Sequence, residues 1–437
     1  MSTNDFVALL GAGASRGAGI PLASELTRCA LEALDQQPGL VSNDYHIANA
    51  LNFVVAAIQL HDSRNGLPVS QLVGIERLVS AVELLKDRRS LEVAPFVREW
   101  DPSVETFDTR RQTSSRSNRY RDVERGILQL IEPDSTRFRV PRFGTRSGVL
   151  ERPFESLLAD VLHRGSQDVF RSLYHWLRMR VVEDVRVKSE ADVDYLLPLL
   201  RAARGGAGVI GTLNYDLTVE TCARRNNISL NRFVDAWEET GALSEAPDCI
   251  PFLKLHGSVD WVSTDPDSLR VKGEGEDSDI QGTPALVYGQ REKLRSDGPF
   301  LQLIERWRSE LAKTQHLIVA GYSFGDEHVN ALIRRWLKTK HDGVLIVVDP
   351  GYPNLIEAQR RVNNPRLELW RDYGKDAKRW NSETNVSENL PQRMFVRREG
   401  LEDALRSWES SGLDALASDM NLQELKQQTG TISSRVP

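Results

Sequence analysis

Cysteine is scarce in this 437-residue chain: Cys29, Cys222 and Cys249 stand far apart and form no C-x-x-C pair. That spacing excludes a disulfide framework and a zinc ribbon and fits a reducing compartment, so a cytoplasmic protein is expected. Long apolar runs are missing as well. Nothing approaches the roughly 18 residues of a membrane span, and the opening "MSTNDFVALLGAGAS" has neither the basic nor the long apolar region of a secretory leader. No membrane association is expected. A strong charge of one sign is also lacking. The formal net charge of -6 provides no global electrostatic reason to bind nucleic acid or an anionic surface.

What the chain does have is a series of short apolar runs, at Phe6–Leu10, Gly208–Thr212, Phe252–Leu255, Ala285–Tyr288, His316–Ala320 and Val344–Val348. Runs without alternation suit strands covered on both faces. Segments of helical spacing lie between them, such as Ile75, Leu78, Val79, Val82 and Leu85, or Val329, Leu332, Ile333 and Trp336. The alternation predicts an α/β fold built on a doubly wound parallel sheet. A stretch from about 44 to 203 reads as helical throughout and is taken as a large insertion. Within it, "RRQTSSRSNRYRDVER" at 110–125 is arginine- and serine-rich and reads as an exposed loop, for which direct nucleic-acid contact is a second reading. "KGEGEDSD" at 272–279 reads as an acidic loop. The expected division is a catalytic domain over 1–355, including the insertion, and a C-terminal extension over 356–437 for packing, oligomerisation or partner binding.

Four strand exits carry small or polar residues. "FVALLGAGASRGAGIP" leads a strand into a glycine loop whose missing side chains would let backbone N–H groups approach a pyrophosphate. Its G-x-G-x-x-x-G spacing departs from the dehydrogenase fingerprint. "GVIGTLNYDLTVE" presents Thr212, Asn214 and Asp216, "FLKLHGSVDW" presents His256, and "LIVAGYSFGDEHVN" presents Gly321 and Ser323 before Asp326 and Glu327, which read as helix caps. Ligands in open α/β sheets bind at the carboxyl ends of the strands, so the four exits are expected to form one site.

"GAGASRGAGIP", "TLNYD", "KLHGSVDW" and "GYSFGDEHVN", in this order, resemble the sirtuin-like family, and in particular its bacterial defence-associated NAD-hydrolysing members. The resemblance implies a Rossmann-like domain with NAD+ as substrate. It assigns catalysis to Asn214 and His256, the phosphates to Gly11, Ala12, Gly13 and Ser15, the ribose region to Thr212 and Asp216, and the adenosine half to Gly321 and Ser323. It further implies an NAD-depleting effector of anti-phage defence (abortive infection). Such an effector would be a homo-oligomer, activated by a partner such as a nucleic-acid-dependent ATPase of the HerA type or an Argonaute-like sensor. Departures from deacylating sirtuins are clear. No cysteine lies between Val262 and Thr283, so no zinc is expected; Leu22-Ala23-Ser24 replaces the Asp-Phe-Arg type stretch; Tyr288 and Gln290 stand in the F-G-E segment. Protein deacylation, ADP-ribosyl transfer and non-catalytic sensing of NAD or ADP-ribose are the alternatives.

Overall fold

The computed structural model describes residues 5–35, 42–65, 73–87, 166–263, 268–272, 283–288, 298–352, 365–374, 377–381 and 386–417. The arginine-rich loop at 110–125 and nearly all of the acidic loop at 272–279 lie outside the described residues, as does Gln290. Two compact units are present, Met1–Leu22 with Val185–Pro437, and Ala23–Asp184.

The Ala23–Asp184 unit contains the helices Ala23–Asp35, Ser42–Arg64, Ile75–Asp87 and Ser166–Asp184, and among its described residues there is no strand. Ile75, Leu78, Val79 and Val82 are buried on one helix, and Phe170, Leu173, Leu177 and Val181 on another. Both sets recur every three or four residues, which places each on a single face, and the two helices pack together.

The larger unit holds twelve described strands: β1 (Phe6–Leu10), β2 (Gly208–Thr212), β3 (Leu230–Asn231), β4 (Ile250–Lys254), β5 (Gly257–Ser263), β6 (Arg270–Val271), β7 (Thr283–Leu286), β8 (His316–Ala320), β9 (Val344–Val348), β10 (Lys378–Asn381), β11 (Val386–Asn389) and β12 (Met394–Arg397). Seven form one sheet in the order β12-β9-β8-β1-β2-β4-β3, with every pairing parallel. All five residues of β1 and of β2 are buried, as a strand covered on both faces requires. From β1 the order runs outward through β2 on one side and β8 on the other, so the sheet is doubly wound with its switch point at β1.

Five of the six apolar runs form strands of this sheet. The exception is Ala285–Tyr288, whose first two residues belong to β7 in a separate antiparallel sheet, β6-β5-β7. The cause is Gly257. Its φ of 87° turns the chain directly after β4, so β5 leaves the parallel sheet and β7 follows it. The edge strand β12 was not among the predicted runs; four residues in a polar surrounding give little periodic signal, although Met394 and Val396 are fully buried. Thus part of the 356–437 segment completes the main sheet.

A Cβ on Gly257 would overlap the carbonyl oxygen of Ala285 and would impose a positive φ on a residue with a side chain. Gly257→Ala is therefore expected to lower stability by at least about 1 kcal/mol, read as a reduced midpoint of thermal or urea unfolding. An unchanged midpoint would contradict this close approach of β5 and β7.

Candidate functional site

Strands β8, β1, β2 and β4 are neighbours in the sheet, so their four exits lie side by side at its carboxyl edge. The glycine loop after β1 is wound into a 3₁₀ helix, Ala12–Ala18, that ends at Gly19 with φ 73°. Gly13 N donates to Gly321 O at 2.9 Å, and a Cβ on Gly13 would lie 2.8 Å from Gly321 Cα. Two glycines are thus needed where the first and fourth exits touch backbone to backbone. The N–H groups of Gly11 and Ala14 donate to Ala320 O and Gly11 O, so these amides, like that of Gly13, already have partners inside the protein. Tyr195 Oη donates to Ala14 O at 2.6 Å, and burial pushes its phenol well above the usual range, which keeps it a neutral donor.

At the second exit, Thr212 Oγ1 donates to Leu10 O at 3.3 Å and accepts from Asn214 N at 3.0 Å. The Asn214 amide nitrogen donates to Gly11 O at 2.9 Å and to Ser15 Oγ at 2.8 Å. A carbonyl oxygen can only accept, so the contact with Gly11 fixes which end of the amide faces inward. Both amide hydrogens are then committed, leaving Oδ1 as the atom Asn214 can offer. Ser15 Oγ sits 3.3 Å from Thr218 Oγ1, which donates to Asp216 Oδ1 at 2.6 Å. With the single hydroxyl hydrogen of Thr218 used on Asp216, Ser15 must be the donor to Thr218. The chain of donors therefore runs one way, from Asn214 through Ser15 and Thr218 to the buried carboxylate of Asp216.

The third exit is tied to the second by Lys254, which is 1% exposed. Its ammonium donates to Glu220 Oε1 at 2.8 Å, to Tyr215 O at 3.5 Å and, at closer range, to Asp216 O. Burial pushes the Glu220 carboxyl up, with the Lys254 charge acting in the opposite direction. Leu255 N donates to Thr212 O, and Val259 N to Tyr215 O, so backbone bonds reinforce the same junction.

The fourth exit is braced from within. Tyr322 Oη accepts from Asp326 N and donates toward Asp326 O and Asn330 Oδ1, all at 3.0 Å. Phe324 takes a positive φ of 58°, and its carbonyl accepts from Asn330 Nδ2 at 2.8 Å. Asp326 Oδ1 caps the helix Glu327–Thr339 by accepting from His328 N and Val329 N. Its other oxygen lies 3.0 Å from His256 Nε2. His256 is 4% exposed, and its Nδ1 is buried with no hydrogen-bond partner among the described residues.

The predicted residues therefore divide into two groups. Gly11, Gly13, Ser15, Thr212, Asn214, Asp216, His256 and Gly321 belong to one laced set of loops. Ala12 and Ser323 are exposed, and Ser323 enters only through its carbonyl, which accepts from Arg366 Nε at 3.2 Å. Sequence reasoning left Lys254, Tyr195, Thr218 and Arg366 without a role, and took Asp326 for a cap alone. Lys254 had a usable signal: a lysine inside the apolar run "PFLKLHG" must find a partner if the run is a buried strand. Among the described residues no group of three or more His, Cys, Asp or Glu side chains is placed to hold a metal ion, and no helix is long and apolar enough to cross a membrane.

The family model of the SIR2-like domain matches residues 208–377, a stretch that includes Asn214, His256 and Asp326 and omits the glycine loop. No curated protein matches the chain. Solved structures similar to it include a Sir2 homologue variant with ADP-ribose, 12% identical with 96% of each chain covered and a TM-score of 0.36. Another is a Sir2 homologue in complex with NAD, 13% identical over 95% of this chain and 91% of that one, with a TM-score of 0.36. Sir2Tm bound to a propionylated peptide is 10% identical, with 94% of each chain covered and a TM-score of 0.34.

Removing one member of a buried, hydrogen-bonded ion pair leaves the other uncompensated. Lys254→Met is expected to cost about 3–5 kcal/mol of unfolding free energy, measured by urea denaturation. A loss below about 1 kcal/mol would mean that Lys254 does not hold this junction.

Proposed function

We propose that this sirtuin-like chain, with its SIR2-like domain over residues 208–377, is an NAD+ glycohydrolase that releases nicotinamide and ADP-ribose. One observation carries the reading. The loops bearing Asn214 and His256, the two residues that the motif resemblance assigns to catalysis, are laced into one set with the glycine loop at the carboxyl edge of a parallel sheet. Likeness to a Sir2 homologue in complex with NAD is in keeping with that substrate.

The chemistry asks little of an acid. When the bond from ribose C1′ to nicotinamide breaks, its electron pair neutralises the pyridinium, and the leaving group departs uncharged. An oxocarbenium-like carbon remains, as in glycoside hydrolysis, and water must reach it and lose a proton. His256 takes that proton. Asn214 offers Oδ1 as an acceptor, suited to a ribose hydroxyl or the attacking water, since both its amide hydrogens are bound inward. Gly11, Ala12, Gly13 and Ser15 would lie along the phosphates, where the exposed Ala12 leaves the surface low. Thr212 and Asp216 would support the ribose region, and Gly321 and Ser323 the adenosine half.

The biological role proposed is that of an NAD-depleting effector in anti-phage defence, acting in the cytoplasm as a homo-oligomer and gated by a partner. The partner would be a HerA-type ATPase or an Argonaute-like sensor. The order of the four motifs supports this part of the reading.

Incubation of the purified protein with NAD+, alone and with a candidate activating partner, should yield nicotinamide and ADP-ribose by mass spectrometry. His256→Ala is expected to lower turnover about 10²- to 10⁴-fold in a protein that still folds, with about 1–3 kcal/mol of stability lost because the buried Asp326 Oδ2 loses its imidazole partner. Asn214→Ala should lower kcat more than it weakens NAD+ binding, and should also cost about 1 kcal/mol of stability through its lost bonds to Gly11 and Ser15. Full turnover by the His256 variant would remove the histidine from the mechanism.

A further inference from the structure

We infer that Asp326 is a positioning residue that fixes the tautomer of His256, so that Nδ1 is the proton-accepting atom of the site. The role given to that atom rests on the hydrolase reading above; the pairing itself does not. His256 Nε2 and Asp326 Oδ2 are 3.0 Å apart, with the two side chains 4% and 5% exposed. An ionised carboxylate has no hydrogen to give, so the hydrogen in this contact must reside on Nε2. A neutral imidazole then carries its lone pair on Nδ1.

The carboxylate is itself immobilised. Asp326 Oδ1 accepts from His328 N at 2.9 Å and Val329 N at 3.3 Å, at a helix N-terminus where a negative charge is favoured. Tyr322 Oη holds the backbone of Asp326 on both sides. The other oxygen, Oδ2, is the one that meets the imidazole. Capping accounts for Oδ1 alone; a serine or threonine would have served there and would have left the imidazole without a carboxylate. On the other side of the ring, Nδ1 is buried and without a hydrogen-bond partner among the described residues. Leaving such an acceptor unpaired costs about 1–3 kcal/mol, and a proton-bearing substrate group or water is the partner that would relieve it. The step balances simply. A proton passes from the attacking oxygen to Nδ1, the imidazole becomes imidazolium with a hydrogen on each nitrogen, and the Asp326 carboxylate stabilises the new charge without changing its own protonation.

Asp326→Asn tests this. Asparagine caps helices well, so the helix start should persist, but its amide now directs N–H groups at Nε2. That moves the imidazole hydrogen to Nδ1 and hides the lone pair on Nε2. ¹⁵N NMR of histidine-labelled protein should show the Nε2–H form of His256 in the wild type and the Nδ1–H form in the variant. Turnover of NAD+ should fall about 10²- to 10⁴-fold with KM little changed. Asp326→Ser, which keeps a capping oxygen and removes the imidazole's partner, should lose the tautomer preference and a similar share of kcat. An Nδ1–H form in the wild type, or either variant turning over at the wild-type rate, overturns the inference. Should the wild type release no nicotinamide under any condition, the hydrolase reading fails while the NMR comparison still decides the role of Asp326. If neither variant folds, the wild-type tautomer alone decides whether the pairing acts in this way.

Discussion

Four adjacent parallel strands end on one edge of the sheet, and the polar groups of their exit loops have to find partners in each other because water reaches most of them poorly. The resulting bonds close a circuit. Asn214 ties the second exit to the first, Lys254 ties the third to the second, His256 and Asp326 tie the third to the fourth, and Gly13 N donates back from the first to Gly321 of the fourth. Each bond is worth about 0.5–1.5 kcal/mol net, yet breaking one strands a buried partner at about 1–3 kcal/mol. The circuit therefore behaves as a unit, and the positions of Asn214 and His256 follow from its closure more than from either residue's own loop.

The fourth exit shows how such a position is kept. Gly321 and Phe324 both adopt positive φ, at 61° and 58°, and for a phenylalanine that conformation costs about 1–3 kcal/mol. Aromatic packing offsets it: the Phe324 ring lies 4.8 Å from Tyr322 and 6.0 Å from Tyr352. The guanidinium of Arg366 stands over both Phe324 and Tyr352, pairs with Asp349 at 2.9 Å and donates to the carbonyls of Tyr322 and Ser323. Backbone strain beside the site is thus held by residues that follow β9, and the loop that results delivers one carboxylate oxygen to one imidazole nitrogen.

Glycine in this setting has a double reading. Gly13 was expected beside a ligand's phosphates and Gly321 beside its adenosine half, and they are places where the backbone of one loop approaches that of another. The two demands are compatible, since a loop pinned flat against its neighbour also raises no side chain over the surface where a phosphate would lie. A similar economy appears in Asp326, whose two oxygens serve a helix cap and a histidine at once.

The five inner strands of the main sheet were legible because burial on both faces leaves a mark that depends only on local composition, as at Phe6–Leu10, Gly208–Thr212, His316–Ala320 and Val344–Val348, which are apolar without alternation, whereas the short edge strands β3 and β12 were not. The four polar exits were legible for the same reason, as breaks at the ends of such runs. Ala285–Tyr288 misled, since a short apolar run cannot announce whether its partner will be parallel or antiparallel; the turn at Gly257 decided that. Composition and order along the chain thus determined the inner strands of the sheet and the candidate residues. Which atom meets which, whether Asp326 with His256, Asn214 with Gly11 and Ser15, or Lys254 with Glu220, was decided only in the tertiary structure. Hydrogen bonds between side chains 34 to 199 residues apart depend on ångström placement that no local pattern encodes.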